Sequence, residues 1–113
     1  MASRDSIDYF FGGTYNLKTV KETRTFQRQA AAIWSEDERH DFIDWIANNP
    51  DAGVVIPGAD GARKVRWSRS GAGKRAGVRI IYFHEVENEL VLLVMIYAKA
   101  VQTNATIKDI KRG

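Results

Sequence analysis

The run LVLLVMIYAK, from Leu90 to Lys99, restricts the fold of this chain more than any other feature. It is far shorter than the roughly 18 apolar residues of a membrane span. Bounded by the polar turn VENE on one side, it reads as a strand apolar on both faces, suited to the centre of a sheet. Such a strand needs neighbours, and the preceding sequence supplies them. GVRIIYFHE (77–85) is a second strand joined to it by the VENE hairpin turn. RKVRW (63–67) alternates, so that Val65 and Trp67 face the core while Lys64 and Arg66 face the other way.

The N-terminal half changes period. LKTVKETRTF (17–26) carries β-branched residues without helical spacing and reads as an edge strand. From Phe26, apolar residues recur at Ala30, Ile33 and Trp34, which is helical spacing. SEDE then offers Ser35 as an N-cap with Glu38 three residues on, a capping box with acids in the first turn, where the helix dipole favours them. Phe42, Ile43, Trp45 and Ile46 form the buried stripe, and Asn48-Asn49-Pro50 ends the helix. DAGVVIPGADG reads as a loop. Residues 1–16 are an N-terminal extension of unknown role, and NATIKDIKRG near the C-terminus has the spacing of one or two helical turns. The expected class is α+β: a small antiparallel sheet with N-terminal helices packed on one face, in one domain over residues 17–113.

Charge is where the sequence speaks about function. The net charge of +3 hides a segregation. Between Ala62 and Arg79 there are seven Lys or Arg residues and no acid, whereas Ser35–Asp51 carries six acids and one arginine, Arg39. The capping box accounts for much of that acid. The basic block implies one positive face, of the kind that meets phosphates. With no cysteine, disulfides and thiolate metal sites are excluded. The absence of a signal-peptide pattern makes cytoplasm the expectation. SGAGK imitates a phosphate loop, but Ser68 stands where the first glycine belongs, Arg75 follows Lys74, and a strand comes next. His40 and His84 have no metal-ligand spacing and read as surface histidines, so neither a metal nor another cofactor is expected.

The face that remains bears Lys64, Arg66 and Arg79, with Arg69, Lys74 and Arg75 in the adjoining loop and Lys99 at the end of the last strand. Arg63 opens the same block, and Tyr82 and Tyr97 lie on the flanking strands. Cations that hold phosphates and rings that stack on bases suit single-stranded RNA. The alternative reading gives the tyrosines to the core. No basic helix is available for a major groove.

GARKVRW, GKRAGVRIIYF and IYAK, taken together over residues 20–100, resemble the RelE/HigB branch of the RelE/ParE superfamily of bacterial toxin–antitoxin toxins. The resemblance is to the HigB-like group. It implies an endoribonuclease that cuts messenger RNA on the ribosome, without a cofactor. Its partners would be a cognate antitoxin, typically a small helix-turn-helix protein, and operator DNA reached only through that antitoxin, with no membrane. By position, Lys64 and Arg66 match the paired basic residues of the family's second strand, and Arg79 matches its third-strand arginine. Lys64 is then the candidate for proton transfer, since arginine cannot act as a base. Arg63, Arg69, Lys74 and Arg75 would bind flanking RNA. The family's C-terminal arginine and tyrosine have no clear counterparts after Lys99, and Tyr97 and Lys99 are the candidates to stand in for them. Two other functions stay open: a ParE-like gyrase poison, against which the resemblance sets Lys64, Arg66 and Arg79, and a non-catalytic RNA- or ribosome-binding module, which needs basic residues but no reactive lysine.

Overall fold

A computed structural model of the chain describes residues 6–7, 18–68, 77–98 and 110. Most of the N-terminal extension, the glycine-rich loop and the expected helical turns of the tail lie outside the described residues. The described elements are strand β1 (Ser6–Ile7), strand β2 (Thr19–Glu22), helix α1 (Arg24–Ile33), helix α2 (Glu36–Asn48), and strands β3 (Val54–Val55), β4 (Arg63–Trp67), β5 (Val78–Glu85) and β6 (Leu90–Ala98). They form a six-stranded sheet in the order β1-β2-β6-β5-β4-β3. The architecture is α+β, and its most apolar strand, β6, lies between β2 and β5, as its composition requires.

Three local readings need amendment. The stretch 17–26 is strand only as far as Glu22. Thr23 accepts a hydrogen bond from Phe26 N–H at 3.1 Å and starts α1 at Arg24, two residues before the first apolar position of the helix. β2 is not at the edge, and it runs parallel to β6 (Thr19 opposite Leu90, Glu22 opposite Leu93), so the sheet is mixed rather than wholly antiparallel. A parallel neighbour requires a long connection, and here that connection is the rest of the domain. Finally, the segment read as a loop contains β3, two exposed valines pairing with Lys64 and Arg63 at the open edge. Two residues are too short to show a period.

The other elements follow their local chemistry. Ser35 Oγ accepts from Glu38 N–H at 3.2 Å, closing the N-terminus of α2. The VENE turn is a 3₁₀ turn at Val86–Asn88, with Glu89 left-handed at φ 49°. Helices cover one face of the sheet, where Phe26, Phe42, Ile46, Ile80, Tyr82 and Leu93 are all fully buried. Phe42 is the hub there, with ring centroids 5.6 Å from Trp34 and 5.4 Å from Trp67. The opposite face has a smaller cluster of its own: Ala59, Ala62, Ile81, Phe83, Met95 and Tyr97, with Ile56 and Ile110 against it. Glu22, fully buried on β2, is gripped by the Arg39 guanidinium, which pins α2 to the sheet. Among the described residues, no helix is long and apolar enough to cross a membrane.

Candidate nucleic-acid interface

On β4, Val65 lies in the helix-side core and Trp67 packs against it, so Lys64 and Arg66 leave the sheet on the opposite face. On β5 the same alternation buries Val78 and Ile80 under the helices and turns Arg79 outward to join Arg66. The register then places Arg66 directly opposite Arg79, and Arg79 directly opposite Tyr97. One row across three strands therefore reads Arg66–Arg79–Tyr97. Lys64 is one row further along the same face, opposite Ile81.

Tyr97 reaches this row only because β6 is irregular. Ile81 pairs with Met95 but Tyr82 pairs with Leu93, so Val94 is an extra residue in β6. Before this bulge Val91 and Leu93 face the helices; after it Ile96 does, while both Val94 and Met95 join the cluster on the far face. The inversion delivers Tyr97 to the side bearing Arg79. Bulges commonly re-aim a side chain in this way.

The electrostatics of the row are unusual for a sheet. Like charges directly opposite one another repel. Among the described residues, neither Arg66 nor Arg79 has an acidic partner. Arg79 Nη1 and the Tyr97 hydroxyl are both buried and both lack a hydrogen-bond partner. Orphaned buried donors are costly unless something fills their valence. Two guanidinium groups and a phenol can together bind and neutralise an oxyanion, and Lys64 and Tyr97 can exchange a proton with it.

Other expected residues are placed elsewhere. Arg63 shares the face of Val65, not that of Lys64. Its Nη1 donates to Gly53 O at 2.7 Å and its Nη2 lies 3.5 Å from Asp51, so it holds the loop after α2 rather than an open basic surface. Tyr82 belongs to the core. Its hydroxyl accepts from Gly53 N–H and donates to Pro50 O, each at 2.8 Å, and burial raises its phenol pKa. His84 is not a surface histidine; its side chain is 7% exposed, with Nδ1 2.7 Å from Asp51 Oδ1. That hydrogen bond lowers the Asp51 carboxyl pKa. Arg69, Lys74, Arg75 and Lys99 lie outside the described residues. Among the described residues, no three His, Asp or Glu side chains converge as metal ligands. The bulge was invisible to a strict two-residue period; the crowding of apolar residues from Leu90 to Tyr97 is the reason no phase change could be read.

No protein-family model matches the chain. Among solved structures it is similar to the E. coli toxin RelE, determined as a double arginine-to-alanine mutant in the free state, with a TM-score of 0.54 at 13% sequence identity. The match covers 77% of this chain and 88% of that one. The fold is RelE-like.

Proposed function

We propose that this chain is a toxin of the RelE/HigB kind, an endoribonuclease that cuts messenger RNA on the ribosome and is held in check by a cognate antitoxin. The observation that carries this reading is the Arg66–Arg79–Tyr97 row, with its unpartnered buried donors, on the sheet face away from the helices. The RelE-like fold and the sequence resemblance support it. The nucleophile is the RNA's own 2′-hydroxyl. Its oxygen forms a bond to the adjacent phosphorus as the bond from phosphorus to the 5′-oxygen breaks, leaving a 2′,3′-cyclic phosphate and a 5′-hydroxyl. One proton leaves the 2′-hydroxyl and one arrives on the 5′-oxygen. Arg66 and Arg79 neutralise the charge that builds on the phosphoryl oxygens, which is the largest single contribution such a site can make. Lys64 and Tyr97 carry the protons, with Lys99, which follows Ala98 in the sequence, as a further donor. Arg69, Lys74 and Arg75 bind flanking phosphates. The antitoxin is a small helix-turn-helix protein, and it alone reaches operator DNA.

The experiment is expression without the antitoxin, followed by primer extension on cellular messages and by cleavage of a translated message in a cell-free extract. Growth arrest with new 5′ ends inside translated regions is the expected result. Cleavage of free RNA by the purified protein should be poor, because the ribosome must align the message. Normal growth with intact messages would overturn the reading. Arrest with intact messages and damaged gyrase function would favour a ParE-like poison, and ribosome binding without cleavage would favour a binding module.

A further inference from the structure

The bulge in β6 is held by α1. In a regular strand successive carbonyls point to opposite edges. Here two successive carbonyls of β6 serve one residue: Thr23 N–H donates to Leu93 O at 3.0 Å, and Thr23 Oγ1 donates to Val94 O at 3.0 Å. Phe26 N–H donates to the same Oγ1 at 3.1 Å, which fixes the hydroxyl proton on Val94. Two residues further along, Ile96 N–H donates to Gln29 Oε1 at 3.0 Å. The ladder from β2 stops at Glu22, opposite Leu93. Beyond that point α1 continues the edge with its own polar groups, in a geometry that only a bulged strand fits.

We propose that Thr23, with Gln29, is a positioning residue for the site: by clamping the bulge it sets which face of the sheet Tyr97 occupies. The proposal rests on the reading of Tyr97 as part of the ribonuclease. Without the bulge, the pairing of Tyr82 with Leu93 would continue unshifted and place Ile96, not Tyr97, opposite Arg79. Tyr97 would then oppose Val78 and turn into the helix-side core. Thr23 touches no substrate, and its effect travels entirely through the strand.

The test compares Thr23→Val, which keeps the branched shape but removes the hydroxyl, with Thr23→Ser, which keeps it. Cross-strand NMR contacts report the register directly. Thr23→Val should exchange the Arg79–Tyr97 contact for an Arg79–Ile96 contact, and Thr23→Ser should not. Single-turnover cleavage on saturating ribosomes should fall roughly a hundred-fold in Thr23→Val, the scale of a misplaced catalytic group. The loss should largely vanish in a Tyr97→Phe background, whereas a purely structural cap would give additive losses. Thr23→Val with an intact Arg79–Tyr97 contact overturns the proposal. If Thr23→Val does not fold, Gln29→Met against Gln29→Glu decides by the same contact, since both leave the N-cap intact. If the wild-type chain cuts no message, the ribonuclease reading fails while the register still settles the positioning role.

Discussion

Arg79 and Tyr82 sit three residues apart on β5, face opposite sides of the sheet and do opposite work. Arg79 is half-buried beside a like charge with a free Nη1, an arrangement that costs stability until an anion arrives. If it binds charge that develops only in the transition state, Arg79→Ala should slow single-turnover cleavage by a hundred- to a thousand-fold, about 3–4 kcal/mol, with little change in ribosome affinity. Lys74→Ala should do the reverse, weakening association and flattening its salt dependence by about 0.7–0.9 in log–log slope. Binding over a salt series beside the cleavage rate separates the two. Tyr82 is fully buried with its hydroxyl satisfied on both sides. Tyr82→Phe orphans Gly53 N–H and Pro50 O and should cost about 1–3 kcal/mol in urea denaturation. Burial is also what raises the Tyr82 pKa. The folded chain therefore keeps a proton that the unfolded chain loses above about pH 10. The associated stability is complete below that pH and disappears as pH rises through the folded pKa, so wild type should lose stability in alkali more steeply than Tyr82→Phe.

At the scale of elements, what was legible in the sequence tracks what is local. α2 was legible because Ser35, Glu38 and the Phe42–Ile46 stripe all lie within one helix. Lys64 and Arg66 were assigned a shared face correctly, because β4 has five residues and a clean period. The start of α1 was misplaced because Thr23 is both a good strand residue and a good N-cap, and the choice is made by its contacts with Leu93 and Val94, about 70 residues away. Arg63 was grouped with its basic neighbours because sequence shows charge but not the Gly53 carbonyl that claims it. That glycine fixes how the loop after α2 meets β4. A Cβ on Gly53 would lie 2.8 Å from Tyr82 Cε1 and 3.0 Å from the Lys64 carbonyl oxygen. The Tyr82 ring cannot yield, being anchored at its hydroxyl. Gly53→Ala should destabilise by about 1–3 kcal/mol, seen as a lowered thermal midpoint. Gly61 differs: a Cβ there meets nothing within 4 Å, and its φ of 92° is the reason for glycine.

For the molecule as a whole, the parallel pairing of β2 with β6 sets a timetable. Thr19–Glu22 leaves the ribosome early, yet its partner strand is Leu90–Ala98, so the second strand of the sheet must wait for the sixth to be translated. Until then α1 and α2 have no β6 to cover, and Arg79 has no Tyr97 beside it. Contacts of such long separation slow folding, and a nascent chain with unburied helices is exposed to aggregation and proteolysis. Stalled ribosome–nascent-chain complexes should accordingly stay protease-sensitive when the chain ends before Leu90. They should become resistant only once Ala98 has cleared the exit tunnel. Resistance in the shorter chains would show that the helices fold without β6. A chain still short of β6 would therefore lack both the strand that joins β2 to β5 and the Arg79–Tyr97 pairing, and each copy would acquire its finished sheet only after Ala98 has been made.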